Sequence, residues 1–126
     1  MTVGVSAATA NSYLNVHRGT TFTGYANEYI QLHTGDPGAS GTANVSAVTT
    51  RNVIAWNSPS GGSMTLATLG SYSMTATETI THVSRWSASS AGTFIESHAL
   101  TASVPVINGS VIAFTTFTLS AGPIAA

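Results

Sequence analysis

This sequence predicts an all-β fold: an antiparallel β-sandwich, Ig-like or jelly-roll-like, of about seven or eight strands behind a short N-terminal helix or arm. Three observations predict it. Apolar and polar residues alternate through one short run after another, the period of strands with one buried face. Clusters of Gly, Pro, Ser and Asn separate those runs at regular, short spacing. Helical spacing is confined to one segment, residues 6 to 17.

In that segment, SAATANSYLNVH, Ser6 is placed to cap a helix whose Ala10, Leu14 and His17 fall at helical spacing. RGTTFTGYAN, residues 18 to 27, reads as loop, so residues 1–27 are expected to form an arm and 28–126 one sandwich domain. EYIQLH at 28 to 33 sets Ile30 and Leu32 on one face and Tyr29, Gln31 and His33 on the other. The corner LHTGDPG follows. There Pro37 presets φ for the second turn position, Gly38 can take the positive φ of the third, and the Asp36 carboxylate can bond back to the turn. RNVIAW and SMTLATL flank the breaker NSPSGG, and TITHVSRW and TFIESHAL flank the loop SASSAG as a hairpin. Asn108-Gly109, between SVPVI and SVIAFTTFTL, is expected to form a type I′ turn closing a tight hairpin. Pro105 marks its strand as an edge. Trp56, Trp86, Phe94 and Phe114 are the expected core anchors, with Phe117 beside them.

Composition excludes several functions. The 126 residues suffice for one core that buries roughly two thirds of the unfolded surface. Without cysteine there are no disulfides, thiolate metal sites or cysteine nucleophiles. Arg18, Arg51 and Arg85 are the only formal cations, and Glu28, Asp36, Glu78 and Glu96 the only anions; lysine is absent. Charged residues make up 6% of the chain, against roughly 25% in an ordinary domain. Three arginines cannot neutralise a run of phosphates, so no nucleic-acid partner is expected. Nor is a membrane partner: there is no polybasic patch and no apolar run near ~20 residues. Met1 to Ala10 lacks the cationic start and apolar centre of a signal peptide, so a soluble chain without a targeting signal is expected. A mean hydropathy of +0.25 with a net charge of −1 leaves little repulsion between copies. A surface of hydroxyls suits a subunit packed against neighbours, and a homo-oligomer is expected.

The residues that could carry chemistry offer three constellations. His33 oriented by Asp36 would make a general base, but it needs a serine nucleophile, and no G-x-S-x-G elbow exists. His33, His82 and His98 would have to converge from separate strands to hold a metal, and no His-x-His or His-x3-His pair occurs. Glu78 and Glu96 form a possible glycosidase-type pair, without an aromatic cluster to serve as a sugar platform. The sequons at Asn44 and Asn108 matter only in a secreted eukaryotic protein. No catalytic residue, cofactor or metal is therefore assigned.

The order of motifs carries a resemblance. YIQLHTGDPGASGTANVS, TRNVIAWNSPSGGS, ETITHVSRWSASSAGTFIESHAL and VPVINGSVIAFTTFTLSAG together resemble a family of small tailed-phage virion proteins with an L-H-T-x-D-P-G corner. It spans about residues 29 to 120 and departs from the family pattern at Arg85, before Trp86, and at Thr50, before Arg51. The resemblance implies a non-enzymatic virion component made in the bacterial host cytoplasm, with the major capsid protein or tail proteins of the same particle as partners. A capsid decoration protein binding the shell by non-covalent contacts is the first expectation; lacking lysine, the chain cannot supply the lysine of a lysine–asparagine crosslink. A minor tail or tail fibre protein is the alternative, and a hydrolase or carbohydrate-binding module the remote one.

Overall fold

The computed structural model describes residues 3–121. The helix α1 covers Ala7–Val16, followed by the strands β1 (Glu28–His33), β2 (Asn52–Trp56), β3 (Ser63–Leu69), β4 (Tyr72–Ser73), β5 (Glu78–Trp86), β6 (Phe94–Val106), β7 (Val111–Ile112) and β8 (Thr118–Ser120). Six strands form one antiparallel sheet in the order β6-β5-β1-β2-β3-β8, while β4 and β7 pair as a separate small sheet. The fold is all-β and sandwich-like, with the short N-terminal helix in front of it.

The large sheet curls. Phe117, just before β8, sets its ring 5.4 Å from His98 on β6 and 5.6 Å from Trp56 on β2. The two ends of the sheet thus approach each other over a core of Ile30, Leu32, Ile54, Ile80 and Val83, which the small sheet covers with Tyr72, Met74 and Ile112. Tyr72 is the aromatic at the centre, and its hydroxyl donates to Ile30 O at 2.6 Å. Trp56 and Phe114 are half-buried and pack against the margin of this core. Trp86 is buried but belongs to a second cluster on the opposite face, where its ring meets Phe94 at 5.4 Å.

One expectation is corrected. Asn108-Gly109 does turn the chain, with Ser110 N–H bonded to Ile107 O at 3.0 Å, but Gly109 takes φ +92° while Asn108 is not among the positive-φ residues. A type I′ turn needs positive φ at both positions. The observed turn does not match the twist of a two-strand ribbon, and it does not close a hairpin. β6 stays with β5, and β7 crosses to β4. Asn108-Gly109 is therefore the corner between the two sheets. Pro105 sits on β6, at one edge of the large sheet, where a missing N–H costs no ladder bond.

Candidate functional site

LHTGDPG begins where β1 ends. Asp36 Oδ1 accepts from Gly38 N–H at 3.0 Å, Gly38 has φ +72°, and Gly41 N–H bonds Gly38 O at 3.0 Å. Pro37 is fully buried, and its carbonyl accepts from Ala43 N–H at 2.9 Å. The chain then returns beside β1, with Thr34 N–H on Asn44 O and Ser46 N–H on Leu32 O. Asp36 therefore serves the turn and does not orient His33.

His33 is 0% exposed. Its Nδ1 lies 2.8 Å from Ala43 O, a pure acceptor, so Nδ1 carries the proton and Nε2 is left to accept. It accepts from Ser84 Oγ at 2.7 Å, and Ser84 Oγ in turn accepts from Trp86 Nε1–H at 2.8 Å. Burial pushes the imidazole pKa down, which keeps the ring neutral. The serine and histidine contact resembles a nucleophile–base pair, but both residues are 0% exposed and the hydroxyl is occupied at both ends. The relay is a structural strut from Trp86 to the loop at Ala43.

The other proposed constellations are not assembled. His82 lies opposite His33 across the β1–β5 ladder, whereas His98 pairs with Val83 and reaches Glu96 and Phe117 on the other face. Glu78 sits at one end of β5, bonded to Ser46 Oγ and to Ala47 N–H, while Glu96 lies opposite Arg85 near the other end. Seven residues of strand separate the two positions by roughly 23 Å, far beyond the about 5 to 9.5 Å of a glycosidase pair.

Sequence reasoning missed a buried charge cluster. Arg85, 3% exposed, places Nη1 3.0 Å from Glu28 Oε2 and Nε 2.9 Å from Glu96 Oε1. The Nε contact is ionic without being a hydrogen bond, because Nε is the one buried side-chain polar atom left unbonded among the described residues. Trp56 Nε1–H donates to Glu28 at 2.9 Å, and His98 Nε2 lies 2.7 Å from Glu96. Burial works against ionising Glu96, but His98 and Arg85 outweigh it and hold the carboxyl below its ordinary range. A signal was present in the sequence: Glu28 shares the strand phase of Ile30 and Leu32, and Arg85 that of Val83, so opposite charges fall on core-facing positions of two strands. Above the cluster opens a cleft of about 510 Å³ walled by Val5, Tyr13, Met64 and Leu119.

A second arginine, Arg51, is also engaged internally. Its guanidinium lies 3.7 Å from the Trp86 ring centroid, and Nη1 donates to Ala88 O and Ala91 O, fastening the β5–β6 loop. Much of the remaining exposed surface is apolar or hydroxylic. Val3, Val5, Tyr13, Leu14 and Val16 are exposed at the N-terminal end, and Ile107 and Val111 at the corner between the sheets.

Residues 4–122 match a family model described as Podophage GP4 fiber I protein gp80. No curated protein matches the chain.

Proposed function

Since the chain belongs to the podophage GP4 fiber I protein gp80 family, and so is a phage structural protein, we propose that it is a non-enzymatic subunit of the fibre of a tailed phage, exposed on the particle and held by other tail proteins. The family match, which takes in almost the whole chain, carries this reading. It supports the tail alternative over the capsid decoration protein that the sequence first suggested. The geometry agrees with a structural role, because the groups that would have served a hydrolase are spent inside the fold. His33 and Ser84 are sealed, Asp36 bonds its own turn, and Glu78 and Glu96 lie at opposite ends of the β5–β6 ladder.

The experiment is a copy count with a location. Purified particles are analysed by quantitative mass spectrometry against the major shell protein, and antibody-labelled particles are viewed by electron microscopy. A small number of copies with label on the tail is expected. Label spread over the head at near one copy per shell subunit would overturn the fibre reading in favour of decoration.

A further inference from the structure

The N-terminal segment is folded largely on itself. α1 buries only Thr9, whose hydroxyl lies 3.2 Å from Tyr25 Oη in the connector that follows the helix. Tyr13 meets Phe22 edge-on at 5.3 Å, and Phe22 meets Tyr25 at 5.8 Å. Helix and connector thus form a small lobe with its own hydroxyl and aromatic contacts.

This lobe reaches the large sheet mainly through main chain. Val5 bridges Glu96 in antiparallel register, Ser6 N–H donates to Ile95 O at 2.8 Å, and Ser97 N–H donates to Gly4 O at 2.9 Å. Residues 4 to 6 are therefore a short strand added to the outer edge of β6. Pairing of this kind is made by backbone groups and asks little of side chains. The same edge on a second copy accepts the strand equally well.

Three features favour exchange. Among the described residues, five of the eight exposed large hydrophobics, namely Val3, Val5, Tyr13, Leu14 and Val16, lie on the lobe and are left open to solvent in the single chain. Residues 1–27 carry Arg18 as their only formal charge, and its guanidinium bonds Asn15 Oδ1 within the lobe, so no ion pair among the described residues ties the lobe to its own sheet. Ala26 and Asn27, which join the lobe to β1, are exposed.

We propose that the lobe is exchanged between copies of this chain: its strand pairs with the β6 edge of a neighbour, and the neighbour covers its open apolar residues. Val5 and Tyr13 wall the cleft over Arg85 and Glu96, so in the assembly one copy completes the cleft of the next. Because the strand contacts are the same in both arrangements, concentration and the geometry of the link decide between them. Fixed at high local concentration on a particle, the exchanged form is favoured. This holds wherever on the particle the protein sits.

The test uses the absence of cysteine from the sequence. A Val5→Cys chain and a Glu96→Cys chain are co-expressed, oxidised and read by intact mass. A mixed disulfide dimer is expected, several-fold above a control mixing Val5→Cys with Val53→Cys, whose site is exposed on β2. In parallel, light scattering of the unaltered chain is expected to give a multiple of 12.8 kDa that falls on dilution. Gly4→Pro should return it to a monomer, because Gly4 holds φ +148° and proline is locked near −65°. A monomer at every concentration, an assembly that survives Gly4→Pro, or a mixed disulfide no stronger than the control would each overturn the proposal. Should Glu96→Cys fail to fold, the light-scattering comparison decides alone.

Discussion

At Arg85 a guanidinium has been taken out of water between two carboxylates, and such a group is tolerable only while its partners remain. Arg85→Leu leaves Glu28 and Glu96 facing each other in a poorly hydrated site, and the expected loss is about 3 to 5 kcal/mol in urea unfolding. Replacing all three together, by Glu28→Met, Arg85→Leu and Glu96→Leu, should recover most of that loss; a triple variant as unstable as the single one would show that the cluster is worth more than an apolar core. Trp86→Ala should also cost about 3 to 5 kcal/mol, because it opens a cavity, removes the ring under Arg51 and leaves Ser84 without its donor. Protons act on the same network. His33 is held below its ordinary 6.5, so the unfolded chain binds a proton there more readily than the folded one. Its contribution to stability is complete above pH 6.5 and erodes as the pH falls below it. Glu96, held below 4.5, contributes fully above that pH and is lost on further acidification. The stability gap between the parent and His33→Asn should accordingly narrow as melting is followed from pH 7.5 to 5.5. An unchanged gap would mean that His33 is not buried neutral.

Elements show where the sequence is a sufficient guide and where it is not. The alternation in EYIQLH, RNVIAW, SMTLATL and TITHVSRW marks β1, β2, β3 and β5, because side chains that alternate between the two faces of a strand make a local pattern. Partner choice is not local. Asn-Gly between strand-like flanks predicts a hairpin, yet β6 has β5 as its partner and β7 pairs with β4. Tyr72, the central aromatic, was missed because a two-residue strand has no period to detect. Glu28 and Arg85 are isolated charges in the sequence, because only the β1–β5 register, which sets Arg85 opposite Ile30, brings them together. Glycines separate local from tertiary constraint in a testable way. A Cβ on Gly41, at φ +72°, would lie 2.4 Å from Phe94 Cδ2, whereas one on Gly61, at φ +56°, meets nothing within 4 Å. Gly61→Ala should cost about 1 to 2 kcal/mol from backbone strain alone. Gly41→Ala adds overpacking of about 1 to 3 kcal/mol to that strain. Equal melting temperatures for the two variants would mean that the loop after LHTGDPG is not braced by Phe94.

For the molecule as a whole, the decisive quantity is how little charge reaches the surface. Of seven formal charges, Glu28 and Glu96 share Arg85 inside, leaving one net negative charge there, Arg51 is held by Trp86 and loop carbonyls, Asp36 bonds its own turn, and Glu78 bonds the segment at Ser46 and Ala47. The composition announced this scarcity; no helix among the described residues is long and apolar enough to cross a membrane. What the composition did not reveal is that most of the few charges are spent on internal architecture, which leaves apolar side chains and hydroxyls to make the contacts of assembly. Screening acts on exposed charges over about 10 Å at 0.1 M salt and has little to act on here. Attachment of this chain to its particle, and any assembly of its copies, should therefore stay within about two-fold in affinity between 0.05 and 0.5 M sodium chloride, since no run of exposed charges is being screened. Sulfate should instead tighten it, because excluded salts favour burial of apolar surface. Sedimentation of particles across both salt series checks this: a tenfold loss in sodium chloride would require a charged contact made by the partner against the few groups left at the surface, Arg18 first among them.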